Sequence, residues 1–381
     1  MGCNACGFQE PEVTIQFPEN EIGNEKGKKN SKDTIKQSYN DFISKFNKNL
    51  EIFGEYISKQ DFNSKIPKKI KDYMEKNPLE IKQQYSKNTN IYETEPIEFK
   101  NGNIYQGNWN KDFKLEGPGK YYLKEDNVFA EGNWDNGELI YARVFLPNGD
   151  IYEGQIKDST FNGKGKLKSY NEDIYEGDFV NGEKTGEGKI IFSDGTIYEG
   201  SLDKGEFRGK GKMIWKNGYE YNGEFNGQIL SGKGKLSSSQ GDNYEGDFEN
   251  NLFHGKGKYI FSKSGNEYKG DFQYGIRKGK GIYSALNQYI YDGNWDDNLP
   301  CGIGKLTNWN KTSILKCTWR FGKIAEEPIY EKGSEKDFES INKNIEPEEM
   351  KLDTKGLPHL DLFDNDSTQY KIDSFPSFLQ D

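Results

Sequence analysis

Tyr175-Glu176-Gly177-Asp178-Phe179-Val180-Asn181-Gly182-Glu183-Lys184-Thr185-Gly186-Glu187-Gly188-Lys189 is the stretch that decides the fold. Tyr175, Gly177 and Phe179 alternate with Glu176 and Asp178, the period of a strand whose successive side chains point to opposite faces. The run from Asn181 to Thr185 carries turn chemistry, and Gly186 and Gly188 then share one face of a second strand. The stretch reads as one β-hairpin.

The same unit recurs along the chain. Counting the tyrosine as position 0, the pattern of tyrosine, glycine at +2 and a ring or aliphatic residue at +4 begins at Tyr105-Gly107-Trp109, Tyr152-Gly154-Ile156, Tyr175-Gly177-Phe179 and Tyr198-Gly200-Leu202. It continues at Tyr221-Gly223-Phe225, Tyr244-Gly246-Phe248, Tyr268-Gly270-Phe272 and Tyr291-Gly293-Trp295, with a weaker copy at Ala130-Gly132-Trp134. Starts lie 22 to 25 residues apart, most of them 23. That period belongs to stacked supersecondary units. From Tyr152 onward, a Gly-x-Gly stands at +11 and +13, as in Gly232/Gly234 and Gly255/Gly257.

A turn centred near +7.5 predicts that +4 faces +11 and +2 faces +13, so that rings cover glycines that otherwise leave a strand with nothing to pack. On the opposite face +1 and +3 then meet +14 and +12. Those positions oppose acid to base, as in Glu245 with Lys258, Asp247 with Lys256, Glu199 with Lys212 and Asp271 with Lys280. Exposed pairs of this kind contribute at most about 1 kcal/mol each and mainly fix register. The expected fold is mainly β: an elongated antiparallel hairpin array, roughly 90 Å long for nine repeats.

Composition agrees. Hydrophobic residues make up 32% of the 381, too few for one large aliphatic core, while glycine (44), tyrosine (24) and phenylalanine (24) are abundant. The net charge of −10 is concentrated after Ile324 and no sustained basic face exists, which argues against a nucleic-acid partner. No run of roughly 18 apolar residues occurs, and the N-terminus lacks the apolar run of a secretory signal. Four scattered cysteines, Cys3, Cys6, Cys301 and Cys317, make no disulfide framework, and a cytoplasmic location follows as an expectation.

The recurrent Gly-Lys-Gly-Lys lacks the strand before and helix after that a phosphate loop needs, and its repetition marks it as structural. Most of the repeated carboxylates have a lysine opposite, and His254 and His359 sit in no triad or metal spacing, so no enzyme activity, cofactor or metal is expected. Met1-Gly2-Cys3-Asn4-Ala5-Cys6 carries a lipidation signal: Gly2 for myristate after removal of Met1, Cys3 and Cys6 for palmitate, with Cys6 replacing the usual Ser or Thr. Two acyl chains give stable attachment to a membrane where one is marginal.

The expected organisation is an acylated lead over 1–30, a helical segment over 31–90, the array over 91–323 with a partial tenth repeat at Leu315 to Trp319, and an acidic, largely disordered tail over 324–381. Ile35, Tyr39, Phe42, Phe46, Leu50, Phe53 and Ile57 fall on one helical stripe capped by Asp33. A second helix starts near Pro67, carries Ile70, Tyr73 and Met74, and stops before Pro78. Such helices cover a sheet edge or serve self-association.

At the Tyr-x-Gly-x-ring and Gly-x-Gly residues the chain resembles the MORN family (membrane occupation and recognition nexus), over about Ile104 to Thr307. The resemblance implies a non-catalytic scaffold that holds protein partners along its β-ribbon, with the acyl groups placing it at the cytosolic face of a membrane. It also admits a structural subunit of a cilium or cytoskeletal assembly, or a regulatory partner of a phosphoinositide kinase. The second repeat departs from the pattern at Ala130 and at Ile140-Tyr141-Ala142, which implies a bend or a docking point there.

Overall fold

In the computed structural model, residues 54–79, 91–333 and 335–338 are described. They form one antiparallel sheet of 24 strands and two helices, α1 (Lys59–Lys65) and α2 (Lys68–Lys76). Nine hairpins follow one another, from Ile104–Trp109 with Leu115–Leu123 to Tyr289–Asp296 with Leu299–Asn308. Ile314–Arg320 adds the opening strand of a tenth.

The strands turn earlier than the sequence suggests. In the fourth hairpin Val180 pairs with Glu183, leaving a two-residue turn at Asn181 and Gly182. Both have positive φ, 51° and 85°, the backbone of a type I′ turn, whose twist matches that of the flanking strands. The turn is therefore centred at +6.5, not +7.5, and Glu183 to Thr185 belong to the strand.

A β-bulge absorbs the difference. Glu176 pairs with Lys189 and Gly177 with Gly188, as the expected register has it, but Asp178 then pairs with Thr185 and Phe179 with Lys184. Gly186 and Glu187 are left as the extra residues, and Gly186 has φ 63°, a left-handed conformation that a glycine adopts without steric cost. The ring at +4 consequently does not face the Gly at +11 of its own hairpin. Phe179 faces Gly163 of the preceding repeat, and Phe225 faces Gly209.

The remaining two glycines serve a different purpose. Tyr175 lies flat over Gly177 and Gly188: a Cβ on Gly177 would come within 2.4 Å of its hydroxyl, and one on Gly188 within 2.4 Å of its ring. Its hydroxyl donates to the carbonyl of Asp178 at 2.8 Å, a group at the bulge. The same bond from tyrosine to the +3 carbonyl recurs at Tyr105, Tyr152, Tyr198, Tyr221, Tyr244, Tyr268 and Tyr291, between 2.6 and 3.1 Å. Every one of these rings except Tyr175, whose neighbour carries Leu202, also meets the +4 ring of the next repeat edge-on, as Tyr221 does Phe248 and Tyr244 does Phe272, both at 5.1 Å. Aromatic pairs add about 0.5–1.5 kcal/mol beyond their area. This layer is the core, and its tyrosines are buried.

The helices lie on the other face. Phe62 and Ile66 are buried with Ile104, Phe129 and Phe145, and Ile57, Ile70, Tyr73, Met74, Tyr122 and Ile151 pack around them. Residues 68–76 form the second expected helix, after Pro67 and before Pro78. The expected stripe ends differently: Gly54–Tyr56 is a strand paired with Ile97–Phe99, and Ile57 donates its N–H to the Pro96 carbonyl, because the sheet edge offers backbone partners there. The rest of that stripe lies outside the described residues. The sheet covers its own ends: Tyr92–Glu93 and Ile97–Phe99 pair with the first repeat, and Ile329–Lys332, at the start of the expected tail, pairs with Ile314–Lys316. Beyond Phe338 the tail lies outside the described residues.

Two substitutions separate the roles in one repeat. Gly223→Ala places a Cβ 2.3 Å from the Tyr221 hydroxyl and 2.6 Å from the Gly234 backbone, and the forced shift costs on the order of 1–3 kcal/mol. Tyr221→Phe removes only the hydroxyl, with its bond to the Glu224 carbonyl and a longer one to that of Ser231, about 1 kcal/mol. Urea unfolding of the full chain should show the alanine variant as the less stable of the two; the reverse order would contradict this packing.

Candidate binding face

The face opposite the tyrosines is organised in cross-strand rows. Nearest the turns is the row of +3 acids and +12 lysines. Because of the bulge, the acid pairs across the repeat boundary and not within its hairpin. Lys164 binds Asp178 at 2.7 Å, Lys233 binds Asp247 and Lys256 binds Asp271. The other carboxylate oxygen accepts the N–H of the bulge in its own repeat, Lys256 N to Asp247 at 3.0 Å and Lys280 N to Asp271 at 2.9 Å. Each such aspartate thus ties a bulge to the preceding repeat. The expected pairing of Asp247 with Lys256 and of Asp271 with Lys280 is corrected accordingly: the +12 lysine of the same repeat gives its backbone N–H to the carboxylate, and the ammonium comes from the +12 lysine of the repeat before. Where the lysine is replaced by Glu187, the next +3 residue is Ser201, whose hydroxyl donates to it at 2.5 Å.

Next lies the row of +1 and +14, where the expected register holds. Glu153 partners Lys166, Glu199 partners Lys212, Glu245 partners Lys258 and Asp292 partners Lys305. Ion pairs here again cross repeats, as Lys189 to Glu199 at 2.6 Å. These two rows line open grooves floored by glycine backbone, one from Tyr141 to Asn222 and one from Asn222 to Asp292.

In the second repeat the pattern is replaced by an ion triad with two buried members, Arg143 and Glu131. Arg143 stands where lysine is usual, with Glu131 at 3.3 Å and Glu153 at 2.7 Å, and it also donates to the Asn77 carbonyl at the end of α2. Arg143 and Glu131 are 5% and 7% exposed. Burial pushes the Glu131 carboxyl above its ordinary range although Arg143 opposes this. The irregular second repeat, where the sequence implies a bend or a docking point, receives the chain's own helix.

The family model for the MORN repeat matches six segments, residues 152–174, 175–197, 198–218, 244–265, 268–285 and 291–308. These six segments of the array are MORN repeats. The MORN repeat is a non-catalytic, protein-binding module, so the repeats described here form a repeat scaffold. No curated protein matches the chain. Among solved structures, the chain is similar to the TCP10 domain of Danio rerio CPAP in complex with a STIL peptide, at 13% identity, TM-score 0.29, with 46% of this chain and 77% of that one covered. It is also similar to the SAS-4 (dCPAP) TCP domain of Drosophila melanogaster in complex with a proline-rich motif of dSTIL, at 9% identity, TM-score 0.29, covering 47% and 90%.

The tyrosines and rings expected as architectural residues stand on the buried face, while the expected glycines Gly154, Gly177, Gly200, Gly246 and Gly270 also line the floor of the grooves. Gly2, Cys3 and Cys6 lie outside the described residues. Among the described residues no group of three or more His, Cys, Asp or Glu is placed to hold a metal ion, and no helix is long and apolar enough to cross a membrane. Sequence reasoning missed the Arg143 triad, whose signal was a single arginine among lysines, and helix α1, too short for a periodic signal.

Asp247 and Asp271 titrate with the array. Burial raises both carboxyls, but the Lys233 and Lys256 ammoniums and the bulge N–H groups outweigh it and hold both below the ordinary range. A lowered folded pKa stabilises above the unfolded value, about 3.9 for aspartate, and that stability is lost as pH falls through the folded value. The melting temperature should therefore fall between pH 5 and pH 2, and it should fall less in the Asp247→Asn/Asp271→Asn variant. Equal falls would show that these carboxylates do not tie the repeats.

Proposed function

We propose that the chain is a membrane-tethered scaffold that holds partner proteins on the groove-bearing face of its MORN array. The observation that carries this reading is that face itself: open grooves, walled by alternating acid and base and floored by backbone, run from Tyr141 to Asp292. Its opposite face is sealed by rings and offers little polar chemistry. A wall of alternating charge favours a polypeptide with complementary charges over a uniformly anionic surface. Tethering is the part supplied by Gly2, Cys3 and Cys6, whose acylation would put the scaffold on the cytosolic leaflet of a membrane with the strength of two or more chains.

Cells fed an alkyne-labelled fatty acid test the tether. The protein should incorporate label and sediment with membranes, and Gly2→Ala with Cys3→Ser should abolish both. An unlabelled protein that sediments with filaments would replace this reading by that of a ciliary or cytoskeletal subunit.

A further inference from the structure

The third row on the groove-bearing face was not part of the repeat signature. It consists of the residue before each tyrosine and the residue at +16 or its equivalent. Direct cross-strand partners run without interruption through Ile104, Tyr122, Phe129, Phe145, Ile151 and Lys168. They continue through Ile174, Ile191, Ile197 and Ile214 and then turn polar at Glu220 and Ser237. The first part of this row is the floor on which α1 and α2 pack. The second part carries four isoleucines in consecutive strands that no described element covers, with Ile191 37% exposed. Lys168, between the two parts, sends its ammonium aside to Glu172 at 2.6 Å and leaves its stem in the row.

The geometry points to a docking site at Ile174, Ile191, Ile197 and Ile214 for an amphipathic helix of a partner protein. This deepens the scaffold reading and rests on it. Three observations choose the occupant. The site continues an interface already filled by helices, on the same row and the same face. Its length, three strand spacings of about 4.8 Å, matches roughly ten residues of helix at 1.5 Å each, whose i, i+3, i+4 and i+7 positions make one apolar stripe. The neighbouring charged row also repeats the device that holds α2. Lys189 lies between Glu176 and Glu199 as Arg143 lies between Glu131 and Glu153, and Arg143 takes the carbonyl at the end of α2. Lys189 is the donor available to the last turn of an incoming helix. The charges beside the isoleucines on their four strands, Glu176, Asp178, Glu187, Lys189, Glu199, Lys210 and Lys212, sum to −1, which does not suit an anionic lipid surface.

The probe is a fluorescent 18-residue helical peptide with leucine at the spacing above and lysine and glutamate elsewhere, titrated with the full chain. Its control has the same composition with the leucines spread around the helix. The first peptide should bind and the second should not. Ile191→Asp with Ile197→Asp should weaken binding at least tenfold, while Ile260→Asp, farther along the same row, should leave it unchanged, with circular dichroism confirming that all variants fold. Equal binding of both peptides, or insensitivity to the double change, overturns the proposal. So does self-association by sedimentation velocity, or flotation with neutral vesicles, that disappears in the double variant, since either assigns the stripe to another occupant. A photo-cross-linker at 191 or at 212 in cells separates this from the broader reading. If the peptide fails yet protein is cross-linked, the scaffold stands without the helix; if neither site cross-links any protein, the scaffold reading falls too.

Discussion

The structure depends on one contact repeated along the chain: a tyrosine ring laid flat on two backbone glycines, with its hydroxyl closing the carbonyl at the next bulge. A single sheet has no second layer to bury one of its faces, so the rings must themselves be the layer. They can lie flat only where neither strand beneath carries a Cβ, and this sets the glycines at +2 and +13. The third glycine, at +11, answers to backbone conformation, because the bulge needs a left-handed residue there. The phenol then satisfies a carbonyl that the bulge takes out of the regular ladder. Burial raises the phenol pKa, as at Tyr221 and Tyr244, so the hydroxyl stays a donor in neutral solution.

The bulge also decides how repeats adhere. By shifting the register between Gly177 and Asp178, it releases the +3 acid from its own hairpin and turns it to the lysine of the repeat before. The charged face thereby couples units that the aromatic face already couples through edge-on rings. Stability in such an array is a sum of unit and nearest-neighbour terms, and both faces here contribute to the second.

Much of this was legible in the residues. The period, the hairpin, the pairing of Gly177 with Gly188 and of Glu176 with Lys189, and the helix after Pro67 follow from spacing alone. The bulge was not legible, because Gly186 and Gly188 look alike in sequence although one is there for its φ and the other for the space above it. Once the two extra residues are placed at Gly186 and Glu187, the two-residue turn at Asn181-Gly182 follows, and with it the cross-repeat ion pairs. The isoleucine row was readable in principle, since Ile104, Ile151, Ile174 and Ile197 each precede a signature residue at the repeat period. It was overshadowed by the stronger tyrosine signal one position later. The role of Arg143 needed the fold, which brings Glu131, Glu153 and the end of α2 to it.

Function in a protein of this kind resides in what its open face admits. One end of that face is filled by the chain itself, and the filled end shows how the rest is built to be used. The claim beneath all of this is the placement of the rings, which proton contacts in a deuterated, selectively labelled sample report directly. The account predicts nuclear Overhauser contacts from the Tyr221 ring to the α-protons of Gly223 and Gly234, with those protons shifted upfield, and from the Phe225 ring to Gly209. Contacts from Phe225 to Gly232, with none from Tyr221 to either glycine, would restore the unbulged hairpin and contradict it.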